Sequence, residues 1–204
     1  MYKTITSWLF VLAVLFASAA EAQQNINGCL IKRRASCPGA NLSGADLTKS
    51  NLSNSDLSGA NLSGANLSFD RITEANLTNA NLSGANLAGT ILSVSYMSNA
   101  NLSRANLDKA DLSQTTLPDA NFREASLAGA NLSMANLKGA DLTGANAKGA
   151  VFVMASMANA NLTRADLTEA TLVGADLRNA ILDGTKFCKT TMPDRSINNS
   201  GCPK

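Results

Sequence analysis

Cysteine is the residue type in this sequence best placed to do chemistry, and its four copies lie in two pairs near opposite ends of the chain. The first pair is Cys29 and Cys37, and the second is Cys188 and Cys202. An even number of cysteines in an exported chain is typical of disulfides, and four cysteines allow three pairings. The alternatives are free thiols or a metal site of four thiolates, for which the C-x-x-C spacing is absent.

Other chemistry has few candidate groups. The 204-residue chain has no histidine, so its many serines cannot form a Ser-His arrangement, and the commonest metal-binding side chain is missing. The formal net charge is only +2, and 16% of the residues are charged, which excludes a charge-rich disordered chain. We therefore predict that the protein is not an enzyme and assign no catalytic, cofactor-binding or metal-ligating residue.

Residues 1–22 have the parts of a secretory signal peptide. Lys3 gives a positive start, an apolar run extends from Trp8 to Ala20, and Ala20-Glu21-Ala22 forms a small-x-small cleavage site. The run is shorter than the roughly 20 residues that cross a bilayer, which disfavours an uncleaved anchor. Lipid attachment at Cys29 is a further, less favoured alternative. We predict cleavage, no membrane segment in the mature chain, and export to the periplasm or beyond in a bacterium.

The rest of the sequence repeats with a period of five residues. Every fifth position from Leu42 to Phe187 is apolar, which makes 30 consecutive pentapeptides without an insertion or deletion. The residue two positions earlier is usually Ala, the residue between them is usually Asn or Asp, and the last is often Gly or Asn. A period of five fits neither a helix nor simple strand alternation. It fits a short extended segment followed by a corner, where Gly or Asn accepts a positive φ.

This A-[N/D]-L-x-x pattern, as in Ala40-Asn41-Leu42-Ser43-Gly44, resembles the pentapeptide repeat family over residues 40–189. The resemblance implies an all-β fold, a right-handed quadrilateral β-helix or solenoid in which four pentapeptides form one coil. The central Leu and the preceding Ala would point inward. The repeats would form about 7.5 coils, and a spacing of about 4.8 Å gives a rod on the order of 36 Å long.

Two positions depart from the pattern. Ala147 is a small residue among the large central ones, and either Phe152 fills the space that it leaves or a local cavity remains. Pro118 lacks a backbone donor, so it either leaves one inter-coil hydrogen bond unmade or lies at a corner.

The two ends of such a rod expose edges that need covering. We divide the chain into the signal peptide 1–22, an N-terminal cap 23–39, the repeat β-helix 40–189 and a C-terminal cap or tail 190–204. A link between opposite caps would span about 30 Å, whereas the Cα atoms of a disulfide lie about 4.4 to 6.8 Å apart. On this fold we expect Cys29 to pair with Cys37 and Cys188 with Cys202, so that each disulfide staples one cap.

Counting in twenties places most outward-facing apolar residues on one side of the rod, the side centred on Leu52, Leu92 and Leu132. A contiguous apolar patch on a soluble rod often marks an interface, and a surface without a partner is the alternative. The predicted interaction face consists of Ile91, Val94, Met134, Val151, Val153, Met154 and Val173.

Two functional classes follow. The first is a non-catalytic exported module for protein interaction or structure, which contacts a protein partner or a second copy through the apolar face and uses no cofactor and no nucleic acid. The second is implied by the family resemblance: a DNA mimic that interacts with gyrase. A mimic needs dense negative charge along the rod. The weakly basic composition and the predicted export disfavour it.

Overall fold

The computed structural model describes residues 24–203, and the predicted signal peptide lies outside them. A short antiparallel hairpin lies at each end of this range. In the first, Asn25 pairs with Leu30, and in the second, Thr190 pairs with Asn198. The strands are β1 (Asn25–Ile26), β2 (Cys29–Leu30), β3 (Thr190–Thr191) and β4 (Ile197–Asn198).

Between the hairpins the backbone winds in coils of twenty residues. Parallel bridges join residues twenty positions apart, from Ser36 with Asp56 to Thr171 with Thr191. The bridges recur about every five residues, so each coil has four short sides. This coil length is the one that the family resemblance implies. We number the sides by their central residues in the first full set: Leu42 for the first side, Leu47 for the second, Leu52 for the third and Leu57 for the fourth.

Each side is joined to the next coil by a small, repeated set of backbone hydrogen bonds. On the first side, the N–H of Leu42 donates to the carbonyl of Asn61 at 2.7 Å, and the N–H of Asn61 donates to the carbonyl of Ala40 at 2.9 Å. The N–H of Gly44 donates to Ser63 at 2.8 Å. The residue before the central leucine therefore directs both its N–H and its carbonyl toward the preceding coil.

Every corner uses the same backbone conformation. The N–H of Ala45 donates to the carbonyl of Leu42 across the turn, and the second turn residue has a positive φ in every pentapeptide, from Gly44 to Lys189. Valine disfavours this region strongly, yet Val94 adopts a φ of 62° there. Pro118 is the first residue of its turn, so the structure has it at a corner.

The interior is a continuous stack of leucine and alanine, with Phe122 and Phe152 as its largest fully buried side chains. Ala147 is buried as well, and its compensation by Phe152 stays a prediction. Threonine or serine replaces some inward alanines. The hydroxyl of Thr90 donates to the carbonyl of Leu67 at 2.7 Å, and that of Thr190 donates to Leu167 at 2.7 Å. These bonds satisfy the buried hydroxyl groups.

A buried carboxylate interrupts the regular pattern near the N-terminal end. Asp70 occupies an inward alanine position and is only 2% exposed. It accepts hydrogen bonds from the hydroxyl of Ser50 at 2.6 Å and from the N–H of Asn51 at 2.8 Å. Asn51 has a φ of 49°, and the bridge that the register would place between Asn51 and Arg71 is missing from the described ladder.

Both predicted disulfides are present, with Cα atoms 5.4 Å apart in Cys29–Cys37 and 4.6 Å apart in Cys188–Cys202. They do not close the two ends equally. Near the N-terminal cap, the inward Leu42 is fully buried, whereas the corresponding Leu182 in the last coil is 36% exposed. The chain after residue 189 covers the second and third sides, where Gly201 donates to the carbonyl of Phe187. The first and fourth sides remain uncovered by the described residues.

Candidate interaction surface

The outward-facing positions are the bridged residue and the two turn residues of each pentapeptide, because the other two point into the core. On the third side, Val151 is a bridged residue, Val153 is a first turn residue, and Met154 is a second turn residue. The second turn residues project furthest, and Met154 is 65% exposed. The repeat therefore fixes how far each apolar side chain of the predicted face extends into solvent.

Five of the seven predicted residues lie together on three consecutive coils. The N–H of Met134 donates to the carbonyl of Val153 at 2.8 Å, and the N–H of Met154 donates to that of Val173 at 2.9 Å. These bonds place the apolar side chains one coil apart, at about 4.8 Å. We call this group the C-terminal apolar patch: Met134, Val151, Val153, Met154 and Val173.

Ile91 and Val94 lie on the same third side as that patch but are separated from it by one coil. Ile91 is bridged to Asp111, so a coil with an acidic residue separates it from the coil that carries Met134. Gln114 occupies the corner between Val94 and Met134. The intervening coil carries Asp111 and Gln114 at the corresponding outward positions, so the apolar surface is interrupted there.

Sequence analysis missed the most exposed aromatic residue among residues 24–203, Phe69. Phe69 is 80% exposed at the corner before the third side, and Tyr96 is 55% exposed on the fourth side. A Cβ atom built on Gly89 would lie 2.6 Å from the Phe69 ring, so the ring rests against this glycine of the next coil. Its exposure could have been predicted from its place in the repeat, because Phe69 is a second turn residue and the side chains at this position point outward at every corner.

The opposite surface, on the first side, is polar and internally bonded. The side-chain amide of Asn61 donates to Asn41 at 3.3 Å, and that of Asn101 donates to Asn81 at 3.2 Å. Arg104 forms an ion pair with Glu124 at 2.8 Å. The hydrogen bond and the positive charge of Arg104 lower the pKa of Glu124. The amide ladder and this ion pair satisfy their own polar groups.

Residues 24–203 contain neither a free thiol nor a cluster of side chains that could bind a metal ion. All four cysteines are in disulfides, and no three carboxylates or other ligating side chains in this range approach closely enough to hold a metal ion. Within the same range, the chain forms no helix that could span a membrane. The outer surface of the coils is what this part of the molecule presents to other molecules.

Coils of twenty residues, a leucine and alanine core and turns every five residues define a β-helical solenoid. The family model for pentapeptide repeats matches in eight copies over residues 33–69, 75–114, 105–144, 120–153 and 155–192. The chain belongs to the pentapeptide repeat family. Proteins of this family adopt a right-handed β-helix, which agrees with the predicted fold.

Solved structures of the family resemble this chain to different degrees. HetL from the cyanobacterium Nostoc sp. strain PCC 7120, described as involved in heterocyst differentiation regulation, is 30% identical, with 82% of this chain and 94% of HetL covered and a TM-score of 0.32. A protein from the Arabidopsis thaliana thylakoid lumen is 35% identical over 48% of this chain and 68% of its own, with a TM-score of 0.47.

QnrB1, described as a plasmid-mediated fluoroquinolone resistance protein, shares the fold at 19% identity. The alignment covers 70% of this chain and 77% of QnrB1, with a TM-score of 0.51. A comparison with curated proteins finds no match.

Proposed function

We propose that this protein is an exported, non-catalytic interaction module and that it binds a protein partner through the C-terminal apolar patch. The observation that carries the proposal is the clustering of Met134, Val151 and Met154 on consecutive coils. Met134 is 54% exposed and Met154 is 65% exposed, so the patch is available for contact. Contiguous exposed apolar surface of this kind is typical of interaction sites.

The surroundings of the patch fit the anatomy of an interface. The second side supplies Lys148, Glu169 and Lys189 along one border, and the last two form an ion pair at 3.5 Å. Ser156 follows the Met154 corner on the other border. An apolar centre with a polar rim matches protein interfaces, in which charged residues are depleted from the core. The partner that fits is a protein with an apolar segment long enough to cross three coils, about 10 Å.

The proposed export rests on the composition of residues 1–22 and is supported by the disulfides. All four cysteines are oxidised, and structural disulfides persist mainly in secreted and periplasmic compartments. Fractionation of cells that express the full chain with a C-terminal tag, together with the intact mass, tests this part. We expect an extracytoplasmic product that lacks residues 1–22 and carries two disulfides. A reduced, uncleaved cytoplasmic product would contradict it.

The patch is tested with Val151→Lys and Met154→Lys combined, used as bait against an envelope extract beside the unaltered chain. The matched control is Thr116→Lys with Asn99→Lys, which adds the same charge at a bridged position and a second turn position of the fourth side. We expect one protein to be retained by the unaltered chain and the control but lost by the patch variant. Equal retention by all three baits would show that the patch is not the binding surface.

A gyrase supercoiling assay separates this proposal from the DNA-mimic alternative. The formal net charge of the chain is +2, and the described ion pairs such as Arg104 with Glu124 neutralise part of its acidic groups. We expect no inhibition of supercoiling. Potent inhibition would contradict this proposal and favour the DNA-mimic function.

A further inference from the structure

We propose that the N-terminal half of the third side, with the cap residues beside it, is a contact surface for a bilayer of anionic lipids. The contact is made from outside the bilayer and does not depend on the C-terminal apolar patch. Two groups of outward-facing side chains form what we call the N-terminal amphipathic surface. The cationic group consists of Lys32, Arg33, Arg34, Lys49 and Arg71. The apolar group consists of Phe69, Ile91 and Val94.

The two groups are neighbours along the rod. Arg71 and Ile91 are bridged to each other, so they lie one coil apart on the third side, at about 4.8 Å. Arg34 lies at the corner after the third side, where its N–H donates to the carbonyl of Ser53 at 3.0 Å. Val94 occupies the same corner three coils later. The cations therefore lie nearest the N-terminal cap, and the apolar residues follow them.

Phe69 projects furthest from this surface. It is 80% exposed at the corner between the second and third sides, and Lys49 occupies the same corner one coil earlier. Val94 is 44% exposed at the opposite corner. No charged residue occurs from position 75 to position 103. The part of the rod beside these apolar groups therefore carries no charge that would have to enter an apolar phase.

The positive charge of the cationic group is available to an external anion. All five side chains are exposed, and none forms an ion pair with another residue of the range 24–203. Arg33 donates to the side-chain oxygen of Asn54 at 3.3 Å, which leaves its charge uncompensated. Arg104 and Lys186, on other sides of the rod, instead contact carboxylates.

Most acidic groups of the same coils face elsewhere. Asp46 is bridged on the second side and Asp56 on the fourth side. Asp70 is buried in the core. Glu74 is exposed at the corner of the surface, where it accepts a hydrogen bond from a side-chain amide at 2.9 Å. Five cations beside one exposed carboxylate leave the surface positive.

An anionic bilayer matches this surface better than a protein groove or a nucleic acid. Phosphate groups lie directly beside the acyl chains there, and Lys and Arg next to Phe hold amphipathic segments at this boundary. Phe69 lies on a convex corner, which can enter a fluid bilayer but would need a matching pocket in a folded protein. Single-stranded nucleic acids stack on several aromatic side chains, whereas this surface contains one.

Co-sedimentation of the mature, oxidised chain with vesicles tests the proposal. One vesicle population contains phosphatidylglycerol and phosphatidylcholine in equal parts, and the other contains phosphatidylcholine alone. We expect binding to the anionic vesicles that weakens as the salt concentration rises, because exposed charges are screened. We expect no measurable binding to the neutral vesicles. Equal binding to both populations, or no binding to the anionic one, would overturn the proposal.

Lys49→Gln with Arg71→Gln removes two cations from the surface. Each cation near an anionic bilayer strengthens binding by about fivefold, so the affinity should fall by at least about tenfold. The matched control is Lys138→Gln with Arg164→Gln, which removes the same charges from exposed positions on the fourth side and at the corner after the first side. The control should bind like the unaltered chain. An equal loss in both variants would mean that binding follows net charge and would contradict this surface.

A tryptophan reporter tests the insertion of Phe69. Trp8, in the predicted signal peptide, is the only tryptophan of the sequence, so Phe69→Trp gives the mature chain a single reporter. Its emission should shift to shorter wavelength with anionic vesicles and be quenched by lipids with brominated acyl chains. Tyr96→Trp, on the fourth side, is the control and should show neither change. Equal responses at both positions, or no response of Phe69→Trp on bound vesicles, would overturn the proposed orientation.

Phe69→Ser separates a bilayer from other anionic partners. Loss of the buried ring should weaken binding to anionic vesicles by about tenfold or more. Oligothymidylate serves as a soluble polyanion without acyl chains, and we expect the unaltered chain to bind it far more weakly than it binds anionic vesicles. Equal affinity for both, or unchanged vesicle binding by Phe69→Ser, would show that the surface recognises negative charge alone and would overturn the assignment to a bilayer.

Discussion

The two ends of this rod are closed to different extents, although each carries one hairpin and one disulfide. Leu42 near the N-terminal cap is fully buried, and Leu182 at the same position of the last coil is 36% exposed. The difference comes from the path of the chain after the last repeat, which covers the second and third sides only. A disulfide near an end therefore does not show that the end is covered. What matters is which inward side chains and backbone groups find partners.

The largest expected difference is in the stability contributed by one leucine of the same column. Leu142→Ala in a complete coil should lower the free energy of unfolding by about 2 to 5 kcal/mol, through lost burial and a cavity. Leu182→Ala on the uncovered first side of the last coil should lower it by no more than about 1 kcal/mol, because its side chain is already partly exposed. Urea unfolding at low protein concentration measures both. Equal losses would mean that the C-terminal end is closed in solution.

The two disulfides should differ less in the stability that they contribute than these two leucines do. Removing either bond by paired Cys→Ala substitutions should lower the free energy of unfolding by about 2 to 3 kcal/mol, since both loops are short. Loss of Cys29–Cys37 should also disturb the core, because both cysteines are buried there, at 3% and 6% exposure. Hydrogen exchange should accelerate at Leu42 in that variant. Loss of Cys188–Cys202 should instead accelerate exchange at the last coil. Exchange that spreads equally over the rod in both variants would contradict this separation.

A buried hydroxyl tests whether the capped half of the C-terminal end resembles the interior. Thr190 donates to Leu167 at 2.7 Å, as Thr90 donates to Leu67 at 2.7 Å in the middle of the rod. Thr190→Val and Thr90→Val should each lower the free energy of unfolding by about 1 kcal/mol. Thermal unfolding of both variants measures this. A much smaller loss at Thr190 would show that the cap frays.

The smallest expected effect is the response of the Asp176–Arg178 ion pair, in the last coil, to acid. Arg178 holds the pKa of Asp176 at about 2, chiefly by a side-chain hydrogen bond and also by its charge. Because the pKa is lower in the folded state, the stabilisation is present above the unfolded pKa and is lost as the pH falls toward 2. NMR titration should place the Asp176 midpoint near 2, and Arg178→Ala should raise it. The pair is fully exposed, so Asp176→Asn should change the melting temperature at pH 7 only slightly. A midpoint near that of a free aspartate would contradict the pair.

The repeat itself could be predicted because its period does not change. The family resemblance implies a coil of twenty residues. Because the pentapeptides contain no insertion, counting on that coil predicts the inward column that includes Leu142 and the local disulfides. The positive φ predicted for Gly and Asn corners also holds where the residue is Val94 or Met134. Stacking of the coils therefore imposes the corner conformation even on residues that disfavour it.

The exceptions could not be predicted from periodicity alone. Asp70 occupies an alanine position, and its effect on Asn51 depends on carboxylate hydrogen bonds that the repeat pattern does not describe. The exposure of Leu182 depends on the route of residues 190–203, which are outside the repeat. The break between Ile91 and the C-terminal apolar patch could have been predicted from Asp111 and Gln114. That prediction requires counting the polar outward residues as well as the apolar ones.

The distance between outward residues on one side of the rod tests the constant coil of twenty residues most directly. Spin labels at Ser63 and Thr143, four coils apart, should lie about 19 Å apart, and labels at Ser63 and Thr163 about 24 Å apart. The labels replace first turn residues of the first side, away from both disulfides. An increase of one coil spacing for each twenty residues is the predicted result. Distances that do not grow by this step would contradict the coil on which every surface assignment depends.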